Sequence, residues 1–253
     1  MRVSLGALGT QFVAAGRRLV DLAMPPACMA CGRPVAESGA LCAGCWGRLR
    51  LIERPFCPRL AIPFGYDIGP DALSAEAIAD PPPFARMRAV AVYDDVSGPI
   101  VQALKYHDRT ELARSMAGMM ARAAADLAEA ADLVVPVPLH RGRLWRRRFN
   151  QSAMIAAEVA HRIGRRHAPE LVARIKATRR QVGLKAAERA ANVQGAFRVP
   201  AEARFDLTGR RVLLVDDVYT TGATVKAVTR ALLRGGAVAV DVVVFARVVE
   251  GLG

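Results

Sequence analysis

The sequence predicts an α/β fold, a mostly parallel sheet flanked by helices, preceded by a small cysteine-rich module. Three observations predict it. From residue 89 onward, short apolar runs alternate with helical patterns, which is how a parallel sheet covered on both faces reads. All five cysteines fall between residues 28 and 57. Between these regions, residues 61–84 are rich in Pro, Gly, Asp and Ala, the composition of a connector. At 253 residues the chain suits one large domain or a domain plus a small module.

The chain opens with Leu5, Leu8, Phe12, Ala15, Leu19 and Leu22 at intervals of three or four. That spacing predicts an amphipathic helix within 1–24. Arg17 and Arg18 interrupt its apolar run and no small-residue cleavage site follows, so it does not read as a secretory leader. No stretch reaches the roughly 18–20 apolar residues of a membrane span. A cytoplasmic protein is expected. The cysteine module takes 25–60 and the connector 61–88, with Pro81, Pro82 and Pro83 near its end. The main domain takes 89–253. Within it, 90–93, 133–137, 171–175, 212–215 and 238–245 read as strands. Residues 99–106, 111–130, 150–163 and 225–233 read as helices, the third with Met154, Ile155, Val159 and Ile163 on one face. No internal repeat is visible.

A hydrophobic content of 53% excludes wholesale disorder. Lys and Arg number 36 against 23 acidic residues, a net charge of +13. The excess is local: residues 140–190 hold fourteen Arg and Lys against Glu158, Glu170 and Glu188. A merely solvated face would intersperse both signs. The pattern favours polyanionic ligands, and Trp145 and Phe149 around Arg146, Arg147 and Arg148 would suit single-stranded nucleic acid.

Cys28 and Cys31 form one C-x2-C pair, and Cys42 and Cys45 form another ten residues on. Each pair sets two thiolates on one tight turn, and two such turns supply the four soft ligands of tetrahedral zinc. An iron–sulfur centre and a redox dithiol are the rival uses. A closed four-thiolate site keeps no open position, so one structural Zn2+ is predicted rather than a catalytic metal. Cys57 has no second cysteine nearby and receives no role. An odd, clustered set is not a secreted disulfide framework.

The run from Val212 to Thr224 carries the chemistry. An apolar strand delivers Asp216 and Asp217 at its carboxyl end, where open α/β sheets bind ligands. Thr220, Thr221, Gly222, Ala223 and Thr224 follow, and then a helix. Hydroxyls and backbone N–H groups at a helix N-terminus form a phosphate pocket, and Gly222 lets the loop turn with positive φ. Adjacent carboxylates can accept hydrogen bonds from a ribose diol. Together they suit a sugar phosphate. The run is neither a P-loop nor a dinucleotide fingerprint.

This thirteen-residue run resembles the signature of type I phosphoribosyltransferases, which bind 5-phosphoribosyl-1-diphosphate (PRPP). Pro136, Val137, Pro138, Leu139, His140, Arg141 and Arg143, with Phe149, Asn150 and Gln151 beyond, resemble the ComF family of competence-associated proteins. That resemblance implies a zinc ribbon joined to a phosphoribosyltransferase fold. It implies that Asp216 and Asp217 hold the ribose, residues 220–224 the 5′-phosphate, and Arg141 and Arg143 the pyrophosphate with its Mg2+. It also implies a role in DNA uptake, with single-stranded DNA and a DNA-uptake helicase as partners. Departures are visible. Thr220 stands where purine-salvage members carry an acid, Arg148 where the commoner pattern has Gly, and Leu60 where a further cysteine would stand. Lys105 and His140 are candidates for substrate contact, with structural roles equally open.

Two functions compete on this reading. One is a PRPP- or nucleoside-5′-phosphate-binding protein working in DNA uptake or single-stranded DNA processing. The other is an active phosphoribosyltransferase moving phosphoribose from PRPP to a nitrogen nucleophile. The sequence contains no evident base-recognition element, and it leaves the oligomeric state open.

Overall fold

The computed structural model describes residues 26–106, 109–142, 144, 149–177 and 186–249. The predicted helix within 1–24 lies outside them, as do Arg143, Trp145, Arg146, Arg147 and Arg148. Among the described residues seven strands form in chain order: β1 (Met87–Val92), β2 (Leu133–Pro136), β3 (Arg166–His167), β4 (Ala173–Arg174), β5 (Phe197–Arg198), β6 (Arg211–Tyr219) and β7 (Ala239–Arg247). Helices of eight or more residues are α1 (Ser97–Tyr106), α2 (Leu112–Ala123), α3 (Gln151–Ile163), α4 (Ala186–Val193) and α5 (Ala223–Arg234).

Five strands make one parallel sheet in the order β1-β7-β6-β2-β3. Its central strands are apolar on both faces. Val212 and Leu214 of β6 point into one cluster with Val225, Val228 and Leu232 of α5. Leu213 and Val215 point into the other with Ile100, Met116 and Ile155 of α1, α2 and α3. Helices on both faces of a parallel sheet bury two layers at once.

Several predicted bounds move. The helix expected over 111–130 breaks at Ala124, whose φ of −100° and ψ of 17° leave the helical region, and a separate turn follows at Ala125–Ala128. The strand expected over 171–175 shrinks to β4, which pairs antiparallel with β5 outside the main sheet. β6 runs four residues past its expected end at 215. β7 is equally long and keeps pairing with it as far as Tyr219 and Arg247.

The stretch predicted as a connector is packed. Ala61, Ala77, Phe84 and Met87 are buried in the cluster beneath α5. Cys28, Met29, Cys45 and Leu49 of the cysteine module sit in the opposite cluster, with α1, α2 and α3. The chain passes from one face to the other at the sheet edge. There Ile52 N donates to Val90 O and Val92 N to Arg50 O, adding a short antiparallel rung to β1. Proline- and alanine-rich composition describes local stiffness, and small side chains also permit close packing. Here the second property decides.

Candidate functional site

The acidic pair stands on the rim of the sheet. β2 ends at Pro136, opposite Val215, and Val137 N donates to Val215 O at 2.9 Å. The loop leaving β2 therefore starts beside Asp216. Asn150 caps α3 by accepting from Ser152 N and donates its amide to Val137 O at 3.2 Å, so the cap also fixes that loop. Arg141 lies in it, exposed, next to a turn in which Gly142 N donates to His140 Nδ1. The described geometry gives His140 this turn-closing bond.

Asp216 and Asp217 lie within β6 rather than beyond it, on opposite sides of the strand's pleat. Lys105, from the last turn of α1, reaches Asp217 Oδ1 at 2.7 Å. Asp216 Oδ1 accepts from Ser152 Oγ at 2.9 Å and from Asp217 N at 3.0 Å. Burial, and then the charge of Asp217, push the Asp216 carboxyl up to about 7, against the pull of Lys105 and the Ser152 hydroxyl. Two adjacent carboxylates in a half-buried place cannot both ionise freely. Lys105 neutralises the Asp217 member of the pair.

Thr220 to Thr224 form the next turn. Gly222 has φ 72° and directly precedes α5. A Cβ at this position would stand 2.1 Å from the Tyr219 hydroxyl oxygen, so glycine is required twice, by φ and by space. The Thr221 hydroxyl is buried and has no hydrogen-bond partner among the described residues. α5 presents its first N–H groups to the same turn, donors that a helix cannot satisfy internally. A buried unpartnered hydroxyl in a loop at a helix N-terminus fits a bound phosphate.

The four cysteine sulfurs lie within 4.8 Å of one another, with Cys31 and Cys42 sulfurs 3.6 Å apart. Tetrahedral zinc with Zn–S near 2.3 Å sets sulfurs roughly 3.8 Å apart, so the group fits the metal. Gly32 turns the first pair at φ 74°, and Cys42 N donates to Cys28 Sγ at 3.3 Å. Burial raises the Cys28 thiol, but backbone N–H groups of Cys31, Cys42 and Ala30 outweigh it and bring it down to about 6. Burial and hydrogen bonds with Cys31, Cys42 and Cys28 push Cys45 up to about 12. Such a set holds four thiolates together only around a cation. Cys57 is buried apart from the quartet, in the other cluster.

The cysteine quartet expected from the sequence is brought together, and Asp216, Asp217 and the 220–224 loop fall on one rim of the sheet. Sequence reasoning missed Ser152, Asn150 as a loop anchor, and Tyr219 as the floor under Gly222. Only Asn150 carried a signal, since Asn before an apolar-periodic run marks a helix N-cap.

Among known proteins, a double zinc ribbon domain model matches residues 19–78 and a phosphoribosyl transferase domain model matches residues 150–252. DNA utilization protein YhgH of Salmonella typhi is 33% identical over 228 residues, covering 87% of this chain and 96% of that protein. Competence protein F of Haemophilus influenzae is 27% identical over 207 residues, covering 80% and 87%. A glutamine phosphoribosylpyrophosphate amidotransferase structure from B. subtilis aligns with 54% of this chain and 26% of its own at 20% identity. The TM-score of that alignment is 0.38. Among the described residues, no helix is long and apolar enough to cross a membrane.

Proposed function

The chain belongs to the ComF family with DNA utilization protein YhgH and competence protein F, and we propose that it binds PRPP or a nucleoside 5′-phosphate while serving DNA uptake or single-stranded DNA processing. The observation that carries this reading is the lysine-held acidic pair one turn from a loop with a buried, unpartnered Thr221 hydroxyl. Asp216 and Asp217 would accept the ribose hydroxyls, with Lys105 releasing Asp217 as the sugar arrives. Thr221, Thr224 and the first N–H groups of α5 would hold the 5′-phosphate. Arg141 and Arg143 are assigned to the pyrophosphate, where guanidinium forks match phosphate oxygens. Mg2+ would travel on that pyrophosphate, bound through its oxygens and water. The basic segment with Trp145, Arg146, Arg147 and Arg148 is assigned to single-stranded DNA, and a DNA-uptake helicase is the protein partner this role calls for.

Calorimetry with PRPP–Mg2+ tests the sugar-phosphate reading. Wild-type protein should bind, and Asp216→Asn with Asp217→Asn should not, while the circular dichroism of the two stays alike. Wild-type affinity in the double variant would overturn the assignment. The same preparation titrated with an oligonucleotide should show log K falling with log salt at a slope near −4, for about six phosphate contacts. Pyrophosphate release in the presence of a nitrogen nucleophile would make the protein an active phosphoribosyltransferase.

A further inference from the structure

The turn that begins at Cys57 repeats the backbone bonds of the turn that begins at Cys28. In the first turn Cys28 N donates to Arg33 O at 2.7 Å, Gly32 N donates to Cys28 O at 3.1 Å, and Ala27 bridges Pro34. In the second, Cys57 N donates to Ile62 O at 2.8 Å, Ala61 N donates to Cys57 O at 2.8 Å, and Phe56 bridges Pro63. Gly32 has φ 74°, and its counterpart Ala61 has φ 51°, the one positive φ outside glycine among the described residues. An alanine avoids this region unless the surrounding turn imposes it.

The likeness continues into the other half of each ribbon. Cys42 precedes the helical turn Ala43–Trp46, and buried Cys45 lies inside it. Ser74 precedes the helical turn Ala75–Ala79, and buried Ala77 lies inside that. Cys57, Leu60, Ser74 and Ala77 thus stand in the places of Cys28, Cys31, Cys42 and Cys45. Only one of the four is a thiol. A double ribbon implies two metals, and the second set of residues does not fit one.

A different cation joins the two halves. Arg247, at the end of β7, is buried and donates to the Leu60 carbonyl, which belongs to the turn. Its other terminal nitrogen pairs with Glu76 of the helical turn at 2.9 Å. The guanidinium also lies over the Tyr219 ring, 5.2 Å from its centroid. Leu60, Ala77 and Cys57 fill the space with apolar contacts in one buried cluster.

We propose that residues 56–79 are a second ribbon that has exchanged its zinc for an apolar core bridged by the Arg247 guanidinium. The ribbon fold survives because the backbone bonds that shape each turn do not themselves involve the metal. What the metal did was hold turn to helix, and a buried cation bonded to both does the same.

Elemental analysis of the purified full chain tests this first. It should give one zinc per chain, and Cys57→Ala should keep that zinc. Two zincs per chain, or loss of zinc in Cys57→Ala, would overturn the proposal. Leu60→Cys, Ser74→Cys and Ala77→Cys, combined with Arg247→Ala, should restore a second zinc, read as a doubling of the thiolate–Co2+ absorbance on substitution. A folded variant that stays at one metal would show that the four places do not correspond. Arg247→Met alone should keep one zinc yet melt several degrees lower. An unchanged melting temperature would remove the guanidinium from the bridging role, whether or not the cysteine variant folds.

Discussion

The cysteine quartet and the acidic pair both crowd anionic groups into a small volume, and they resolve the conflict differently. Four sulfurs within 4.8 Å depend on a cation from outside: one thiol is drawn down to about 6 while another is held up at about 12. The acidic pair draws on its own chain. Lys105 comes from α1 to Asp217, and Asp216 rises to about 7. The contrast separates a fastening by an added metal from a charge balanced within the chain. A metal bound by four thiolates is part of the fold, whereas a lysine on a carboxylate can be displaced by a ligand without unfolding anything.

The largest effect expected from this contrast is at the quartet. Cys42→Ala should release the zinc and lower global stability by several kcal/mol, since structural zinc in isolated fingers contributes about 10–16 kcal/mol. The loss should not stop at the ribbon, because Cys28, Met29, Cys45 and Leu49 share a core with α1, α2 and α3. Scanning calorimetry should show the main transition shifted down. A separate early transition, with the main one unmoved, would mean that the ribbon is thermally independent of the sheet.

Gly222→Ala should cost about 1–3 kcal/mol by forcing a Cβ into positive φ and against the Tyr219 ring. It should also eliminate calorimetric binding of a 5′-phosphate ligand while zinc content stays at the wild-type value. Loss of zinc in this variant would show that the two sites are coupled.

A subtler change is expected at Asp216. Its folded carboxyl titrates near 7 rather than at the ordinary 3.8, so protonation favours the native state. That contribution is complete below about pH 3.8 and is lost as pH rises through about 7. Asp216→Asn should therefore match the wild type near pH 4 and exceed it by up to about 4 kcal/mol at pH 8 in the ligand-free protein. Urea denaturation across that range reads the difference. A gap independent of pH would refute the raised carboxyl.

Legibility followed chain distance. The cysteine ligands span 18 residues and the strand–acid–loop run spans 13, so spacing alone displayed both. Lys105 lies 112 positions from Asp217, and Ser152 lies 64 from Asp216. No local pattern announces such partners. The connector was misjudged because composition reports backbone stiffness, while burial of Phe84 and Ala77 depends on a surface supplied by α5. The second ribbon was legible only at Leu60, for a related reason. Its likeness resides in backbone bonds around Cys57 and Ala61, and three of its four ligand positions have changed identity.

By itself, the sequence determined the alternation of strands and helices, the first metal quartet, and the chemistry offered by residues 216–224, because each depends on neighbours within one or two turns of chain. Tertiary structure decided what sits against those groups. It set Lys105 and Ser152 at the acids, carried β6 past its apolar run by pairing it with an equally long β7, and brought Arg247 between Leu60 and Glu76. Each of these contacts joins residues tens to hundreds of positions apart. Such contacts exist only once the sheet has closed, since hydrogen bonds and ion pairs act over a few ångströms of space whatever the separation in sequence.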